Sequence, residues 1–385
     1  MNRACRVVVR FAAIRPLMNR RFARSNLLLA VVLLLAVVLF SALPVAQDRR
    51  LSPGKIEQIE KAITTEMARQ NIPGLTVAVV LDNTLQWANG YGFSDLENFV
   101  PAKATTVYRL GSISKPITAV AAMQLVERGK LDLDAPVQKY VPSFPQKPWP
   151  ITARHLLSHM SGIRHYKGDE IGITRHYDNL VEGLQIFQDD ALLFEPGTRY
   201  SYSTYAYNLL GCVIEGASGL RYADYVRENI FKPTGMDRIR VDDLFEIIPN
   251  RAQGYRKTAS GELRNSGLAD TSYKIPGGGF CSTVGDLAKF AIALQKRTLL
   301  SRESLRQMWT RQKTRGGEAV DYGLGFAVTE RNGGLRVGHG GGQQRITTFL
   351  AMIPERNAAA VVMTNLEGAS DLPNFSHRLL EIALN

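Results

Sequence analysis

A serine and a lysine three residues apart open an apolar run of helical spacing, from Gly111 to Gly129 (GSISKPITAVAAMQLVERG). The first turn of a helix is electropositive, because its N–H groups are unpaired and the peptide dipoles add there, so Lys115 is poorly placed for stability alone. At this spacing on a helix, the Cβ atoms of Ser112 and Lys115 lie about 5–6 Å apart. A lysine buried beside a serine can lower the pKa of the hydroxyl and help to move its proton. The pattern therefore predicts a serine nucleophile, with helix N–H groups that favour a developing anion.

Ser-x-x-Lys alone is a weak signal, and its ordinary interpretation is an N-cap serine followed by a solvated lysine. A second match, from Ser52 to Lys55, is interrupted by Pro-Gly, which breaks the helix that would align its side chains. The stretch at Ser112 differs because Gly111 permits a close approach and the apolar run that follows predicts a buried helix. The pattern becomes a specific signal of a nucleophile only together with partner residues elsewhere in the chain.

Strand-forming sequence lies at both ends of the chain, and helical patterns lie between. The segments LTVAVVL and LQWANGYGFSD predict a hairpin across Asp82-Asn83, and four strands return late in the chain, from YGLGFAVTE to AAAVVMTN. The links between the late strands are too short for crossover helices, which predicts an antiparallel sheet. We expect an α+β fold in which helices flank this sheet and an all-helical lobe, about 130–275, is inserted. The cleft between the two is the expected site.

The net charge of +12 is concentrated in the first fifty residues, which hold nine arginines and one acid. The rest of the chain carries only +4 and has no long basic run, so nucleic-acid binding is not predicted. The length of 385 residues, with 45% hydrophobic side chains, suits a globular protein with a full core.

The N-terminus predicts targeting or anchoring. Residues 1–26 are basic and free of acids, and residues 27–46 are apolar and about long enough to span a bilayer. Arginines before the span predict a cytoplasmic N-terminus and a body outside the cytoplasm, in the periplasm or at the outer face of the membrane. An uncleaved anchor, which would tie the protein to the membrane, and a cleaved signal both fit. A mitochondrial presequence is a third option.

Cysteine and histidine spacings predict neither disulfides nor a metal. Three cysteines (Cys5, Cys212 and Cys281) form no disulfide framework and no C-x-x-C, so buried free thiols are expected. His155 and His159 have helical i,i+4 spacing, but no H-E-x-x-H and no cluster with a third ligand accompany them. No cofactor and no metal are predicted.

Five motifs occur in a characteristic order: GSISKPITA, LLSHMSGI, FEPGTRYSYSTYAYNLLG, PGGGFCSTVGDLAKF and VGHGGG. Together they resemble the serine penicillin-recognising hydrolases, which include class C β-lactamases, D-Ala-D-Ala carboxypeptidases, related esterases and lactamase-like serine proteases. The resemblance runs from about residue 55 to 385, and the YST and HGG variants look most like the protease-like branch. It implies a β-lactamase/transpeptidase-like hydrolase domain over residues 47–385.

The resemblance also implies roles for the matching residues. Ser112 would be the acylated nucleophile, and Lys115 would hold the proton network. Tyr202 would take the Ser112 proton as a phenolate and return it to the leaving group. Because a free tyrosine has a pKa of about 10, this needs cations beside it, namely Lys115 and His339. The N–H groups of Ser112 and Gly342 would form an oxyanion hole.

Two residues depart from the family's pattern. Thr204 stands where the family has an Asn that contacts the substrate, and threonine lacks an amide that both donates and accepts. His339 replaces a Lys, so a fixed cation becomes a titratable one. The changes at Thr204 and His339 both weaken the case for efficient penicillin hydrolysis. Gly341, in the same VGHGGG motif as His339, would let the substrate backbone lie close.

The sequence thus predicts a serine hydrolase that forms an acyl-enzyme at Ser112, either a peptidase or carboxypeptidase or an esterase. Its substrate would be a small peptide, an ester or a β-lactam-like compound. One alternative is a class C-like β-lactamase that hydrolyses β-lactam antibiotics. Another is a non-catalytic, membrane-tethered binding or assembly module, against which the joint presence of Ser112, Lys115 and Tyr202 argues.

Overall fold

The computed structural model describes residues 51–331 and 333–385. Its strands are β1 (Gly74–Leu81), β2 (Thr84–Asp95), β3 (Val100–Pro101), β4 (Tyr108–Arg109), β5 (Arg240–Val241), β6 (Tyr255–Lys257), β7 (Leu263–Asn265), β8 (Phe280–Ser282), β9 (Ala327–Arg331), β10 (Gly334–Gln343), β11 (Ile346–Ile353) and β12 (Ala358–Thr364). Seven of them form one antiparallel sheet in the order β3-β2-β1-β12-β11-β10-β9. The predicted antiparallel sheet, built from both ends of the chain, is confirmed.

Helices cover the sheet and fill the middle of the chain. They are α1 (Pro53–Gln70), α2 (Ser114–Glu127), α3 (Ala153–Leu157), α4 (Leu180–Leu184), α5 (Thr204–Ser218), α6 (Tyr222–Val226), α7 (Lys232–Thr234), α8 (Ile275–Gly278), α9 (Val284–Gln295), α10 (Arg302–Met308) and α11 (Leu372–Leu384). The segment 130–275, expected to be helical, also carries the short strands β5, β6 and β7 in its second half. Strands of two or three residues are too short to leave a recognisable period in the sequence. That the segment forms a separate lobe stays a prediction.

The central strand β1 is buried on both faces, which explains its continuous apolar run. Its alternate residues enter two different hydrophobic cores, because successive side chains of a strand point to opposite faces. Val77 and Val79 pack into the core that contains residues of α1 and α11. Ala78 and Val80 belong to the larger core, which contains residues of α2, α5 and α9. The strand β1 is therefore held between two hydrophobic cores.

The described part of the chain tests the prediction for two of the cysteines, but not the prediction for the N-terminus. Cys212 and Cys281 are buried free thiols, as predicted. No helix within residues 51–331 and 333–385 is long and apolar enough to cross a membrane. The predicted basic segment 1–26 and the signal or anchor 27–46 lie outside the described residues.

Candidate active site

The serine of the Ser-x-x-Lys motif lies on a short turn held between the sheet and the helices. Ser112 belongs to a 3-10 turn, Gly111–Ile113, and α2 begins two residues later, so the α-helix starts later than predicted. Gly111 has a φ of +53°, which favours glycine. Leu110 donates its N–H to the carbonyl of Phe280 at 2.8 Å, and its own carbonyl accepts from the Thr348 hydroxyl at 2.9 Å. These bonds hold the partly exposed Ser112 at a defined position.

Lys115 is fully buried and its amine faces the serine. Its Nζ donates to Ser112 Oγ at 3.0 Å, to Thr204 Oγ1 at 3.1 Å and to the carbonyl of Gly277 at 2.7 Å. No carboxylate of the described residues pairs with it. Burial, and secondarily the charge of Lys274, lower the pKa of Lys115 well below its ordinary value. An amine that loses its proton so readily can serve as a base at neutral pH.

Tyr202 closes the other side of the serine. Its ring centroid lies 4.8 Å from Lys115 Nζ, and Ser112 is near enough to lower the pKa of its hydroxyl. Burial raises the pKa of Tyr202, and the contact with Ser112 only partly opposes that rise. The expectation that neighbouring cations would hold Tyr202 as a phenolate stays a prediction, and burial opposes it. The surroundings desolvate the ring more than they stabilise its anion, which favours the neutral phenol.

His339 lies in β10, buried, with its ring centroid 6.3 Å from that of Tyr202. Its Nδ1 is 2.6 Å from the carbonyl oxygen of Gly340, so Nδ1 carries the proton, and its Nε2 accepts from the Tyr322 hydroxyl at 2.9 Å. Burial and the charge of Lys115 lower the pKa of His339 to about 3. The expected titratable cation is therefore a neutral imidazole across the physiological range.

The glycines of β10 bring its backbone against the nucleophile turn. A Cβ on Gly341 would lie 2.0 Å from the carbonyl oxygen of Leu110, so only glycine fits there. A Cβ on Gly111 would lie 3.1 Å from the amide nitrogen of Gly342. The predicted partners of the oxyanion hole, at Ser112 and Gly342, are thus carried by two backbone segments in contact.

The register of β10 also frees the Gly342 amide. Gln343 pairs with Ile346 across a two-residue turn, and in such a hairpin the closing pair is hydrogen-bonded. Since hydrogen-bonded and free pairs alternate, the N–H of Gly342 points away from β11. On that side β9 pairs with β10 only as far as Gly338. The Gly342 amide is therefore available to a substrate oxygen.

Thr204 lies beside Lys115, and its predicted contact with a substrate stays a prediction. It is the first residue of α5, buried, and its hydroxyl accepts the hydrogen bond from Lys115. The side chain therefore helps to orient the amine. The sequence could not indicate this, because the two residues are 89 positions apart.

Two histidines for which no functional role was predicted hold the chain around Tyr202. His159 Nδ1 accepts the N–H of Ser203, and His165 Nδ1 accepts the N–H of Thr204, both at 3.2 Å. The ring of His159 lies 4.2 Å from that of Tyr202. No group of three or more potential metal-ligating side chains occurs among the described residues. These histidines therefore position the tyrosine, a role that no spacing in the sequence indicates.

The two neighbouring glycines of β10 provide a matched test of the oxyanion hole. In Gly341→Ala, the new methyl group collides with Leu110 and displaces β10 from the nucleophile turn. We expect the rate of labelling by a small fluorophosphonate to fall about 10²- to 10³-fold, the usual effect of losing one oxyanion donor. Gly342→Ala meets nothing within 4 Å and should react at close to the wild-type rate. Equal rates in the two variants would contradict this geometry.

The chain is similar to known proteins in sequence and in structure. The Beta-lactamase family model matches residues 59–383. The human mitochondrial serine beta-lactamase-like protein LACTB is 32% identical, and the match covers 74% of this chain and 69% of that protein. The bovine protein of the same name is 35% identical, and the match covers 58% of this chain and 53% of that protein. An octameric penicillin-binding protein homologue from Pyrococcus abyssi superposes with a TM-score of 0.74 and 30% identity, covering 86% of this chain and 77% of that one.

Proposed function

Because the chain belongs to the beta-lactamase family, a family of serine hydrolases, we propose that it cleaves peptide or ester substrates through an acyl-enzyme at Ser112. The observation that carries the proposal is the buried amine of Lys115, bonded to the Ser112 hydroxyl and unpaired with any carboxylate of the described residues. A charged lysine would be costly there, and a neutral one is a base in contact with its nucleophile.

The geometry supports a mechanism with defined proton positions. Lys115 takes the hydroxyl proton of Ser112 as Oγ attacks the substrate carbonyl carbon. The N–H groups of Ser112 and Gly342 stabilise the oxyanion of the tetrahedral intermediate. The intermediate collapses as the proton passes from the Lys115 ammonium through the Tyr202 hydroxyl to the leaving group, which leaves the acyl-enzyme. Water then attacks the ester, with the same residues moving protons in reverse.

Two features favour peptides or esters over β-lactam antibiotics as substrates. Thr204 uses its hydroxyl on Lys115 and offers no amide to a substrate. His339, neutral and bonded to Tyr322, gives no fixed positive charge for the carboxylate of a penicillin. The class C-like β-lactamase is retained as the second candidate because the nucleophile, base and oxyanion amide suit either reaction.

A substrate panel tests the proposal on the purified protein. D-Ala-D-Ala peptides, L-peptides, p-nitrophenyl esters and nitrocefin would be compared, with Ser112→Ala as the blank. We expect Ser112-dependent turnover of a peptide or an ester and slow or absent turnover of nitrocefin. Faster turnover of nitrocefin than of every peptide and ester would favour the β-lactamase instead.

The dependence of activity on pH separates lysine from tyrosine as the base. The pKa of Lys115 is lowered, so kcat/KM should fall as the pH drops through a value well below 10.5. The pKa of Tyr202 is raised, so a tyrosinate base would instead make activity rise only at strongly alkaline pH. If kcat/KM instead falls with decreasing pH around a pKa of 10 or above, lysine is not the base.

Lys274 offers a specific perturbation of that profile. It is buried, its own pKa is lowered to about 7 by burial and by the charge of Arg109, and its charge lowers the pKa of Lys115. In Lys274→Met the pKa of Lys115 should rise, moving the acid limb to higher pH. Lys139→Met, at an exposed lysine, is the control and should leave the limb in place. An unmoved limb in Lys274→Met would exclude this coupling.

We also propose that the hydrolase domain acts outside the cytoplasm. The support is the arginine-rich segment 1–26 before the apolar residues 27–46, which favours export or anchoring of the hydrolase domain. The relatives of this chain include a mitochondrial protein, so a mitochondrial presequence is the competing interpretation of the N-terminal segment. Fractionation with a tag at the C-terminus, and protease protection of that tag, distinguishes the two.

A further inference from the structure

A crevice of about 410 Å³ lies beside the active site but shares none of its catalytic side chains. Three arginines line it: Arg109, Arg251 and Arg345. Arg109 is on β4, three residues before Ser112, and Arg345 is in the turn between β10 and β11. Its volume lies within the range of small-molecule sites, about 300–1,000 Å³. We refer to it as the arginine crevice.

The arginines of the crevice outnumber their acidic partners, because Glu246, which also lines the crevice, pairs with Arg240 outside it. Arg109 is only 4% exposed. Its Nε pairs with Asp242 at 2.7 Å, and its Nη2 donates to the carbonyl of Ala269. Its Nη1 has no partner among the described residues. Arg251 shares the same Asp242, at 3.0 Å. One buried carboxylate therefore serves two guanidinium groups, and one buried donor is left over.

Arg345 adds a third cation without an acid of its own. Its side chain makes no hydrogen bond or ion pair with any described residue, and its Nε is buried. Glu367 accepts the backbone N–H of Arg345 and not its guanidinium. Burial and the charges of Arg109 and Arg251 lower the pKa of Arg345, and the carboxylates of Asp242 and Glu367 only partly oppose this. Crowded and partly desolvated cations of this kind are costly unless an anion joins them.

The walls of the crevice are apolar and open to solvent. The exposed fractions are 79% for Phe245, 91% for Ile247 and 49% for Leu268, and all three side chains line the crevice. Large apolar side chains are rarely left so exposed beside one another unless they bind something. Cations at the floor and apolar groups at the mouth match a ligand with an anionic head and an apolar chain.

We propose that the arginine crevice binds an amphipathic monocarboxylate. Its two oxygens receive the free Nη1 of Arg109 and the unpaired guanidinium of Arg345, and its apolar chain lies against Phe245, Ile247 and Leu268. One carboxylate supplies the two acceptors that the two arginines lack, in the planar geometry that guanidinium groups favour. The site is separate from the hydrolytic one and does not depend on the proposed function.

Calorimetric titration of the full chain with dodecanoate, below its micellar concentration, tests the proposal. We expect one saturable site, with affinity at least about tenfold weaker in Arg345→Gln, since a charge-assisted hydrogen bond is lost. Ile247→Ser should also weaken binding. Arg238→Gln, which removes an equal charge from an exposed position outside the crevice, should bind as the wild type does. The Arg345 guanidinium makes no hydrogen bond or ion pair with a described residue, and glutamine keeps the part of the side chain that packs against Gly254, so the replacement should leave folding intact.

Several results would overturn the proposal. No saturable binding by the wild type, or equal affinity in the wild type and Arg345→Gln, excludes a carboxylate at these arginines. If dodecanol binds as tightly as dodecanoate, the crevice does not recognise the carboxylate. Dodecyl phosphate binding more tightly would assign the site to a phosphate. Adsorption to anionic vesicles that Ile247→Ser abolishes, without binding of dodecanoate, would make the face a membrane contact instead.

Discussion

Ser112→Ala should abolish covalent labelling by a fluorophosphonate and by a fluorescent penicillin, and lower kcat/KM for any cleaved ester or peptide by about 10³-fold or more. The size follows from losing the nucleophile of a covalent mechanism, after which only binding and the oxyanion amides still help the reaction. Gel fluorescence measures the labelling, and the mass of the intact labelled protein identifies the adduct.

Ser114→Ala is the matched control for that experiment. Ser114 is two residues further along, buried, and its hydroxyl contacts the backbone amide of Phe280 at 3.4 Å. The Ser114→Ala protein should be labelled to the same extent as the wild type. Labelling that persists in Ser112→Ala would show that another residue is the nucleophile. A wild-type protein that none of these probes labels would favour the non-catalytic binding module.

Lys115→Met should lower kcat/KM by about 10²- to 10⁴-fold, the usual contribution of a general base, while the protein stays folded. Methionine keeps most of the volume of lysine and removes an amine whose burial is costly. Of its three acceptors, the hydroxyls of Ser112 and Thr204 can turn to other partners, and only the carbonyl of Gly277 loses a donor outright. We therefore expect a stability change of no more than about 1–3 kcal/mol, the cost of one unsatisfied group.

The measurement combines single-turnover acylation by a p-nitrophenyl ester with a thermal melt. Lys130→Met, at an exposed lysine just past α2, controls for the loss of charge and should acylate at the wild-type rate. A folded Lys115→Met protein that keeps more than a tenth of the rate would mean that the amine is not the base. In that case Tyr202 would be the next candidate.

Much of the fold was predictable because local patterns carry it. The β-branched run after Gly74 and the tight Asp82-Asn83 turn predicted β1 and β2, and both residues of that turn adopt positive φ. The short links predicted antiparallel pairing of the late strands. The short strands β5 to β7 were missed, because two or three residues are too few to show a strand period.

The sequence by itself determined which groups could react. The Ser-x-x-Lys spacing sets the nucleophile beside an amine, and the glycines at 340–342 allow a backbone to pack against the serine turn. Only the tertiary structure decided their protonation states and partners. The pKa of Lys115 falls and that of Tyr202 rises because segments far apart in the chain exclude water from both. Desolvation depends on the whole fold, so residue types and spacing cannot reveal that burial favours the neutral tyrosine, that His339 carries no charge, or that Thr204 holds the lysine.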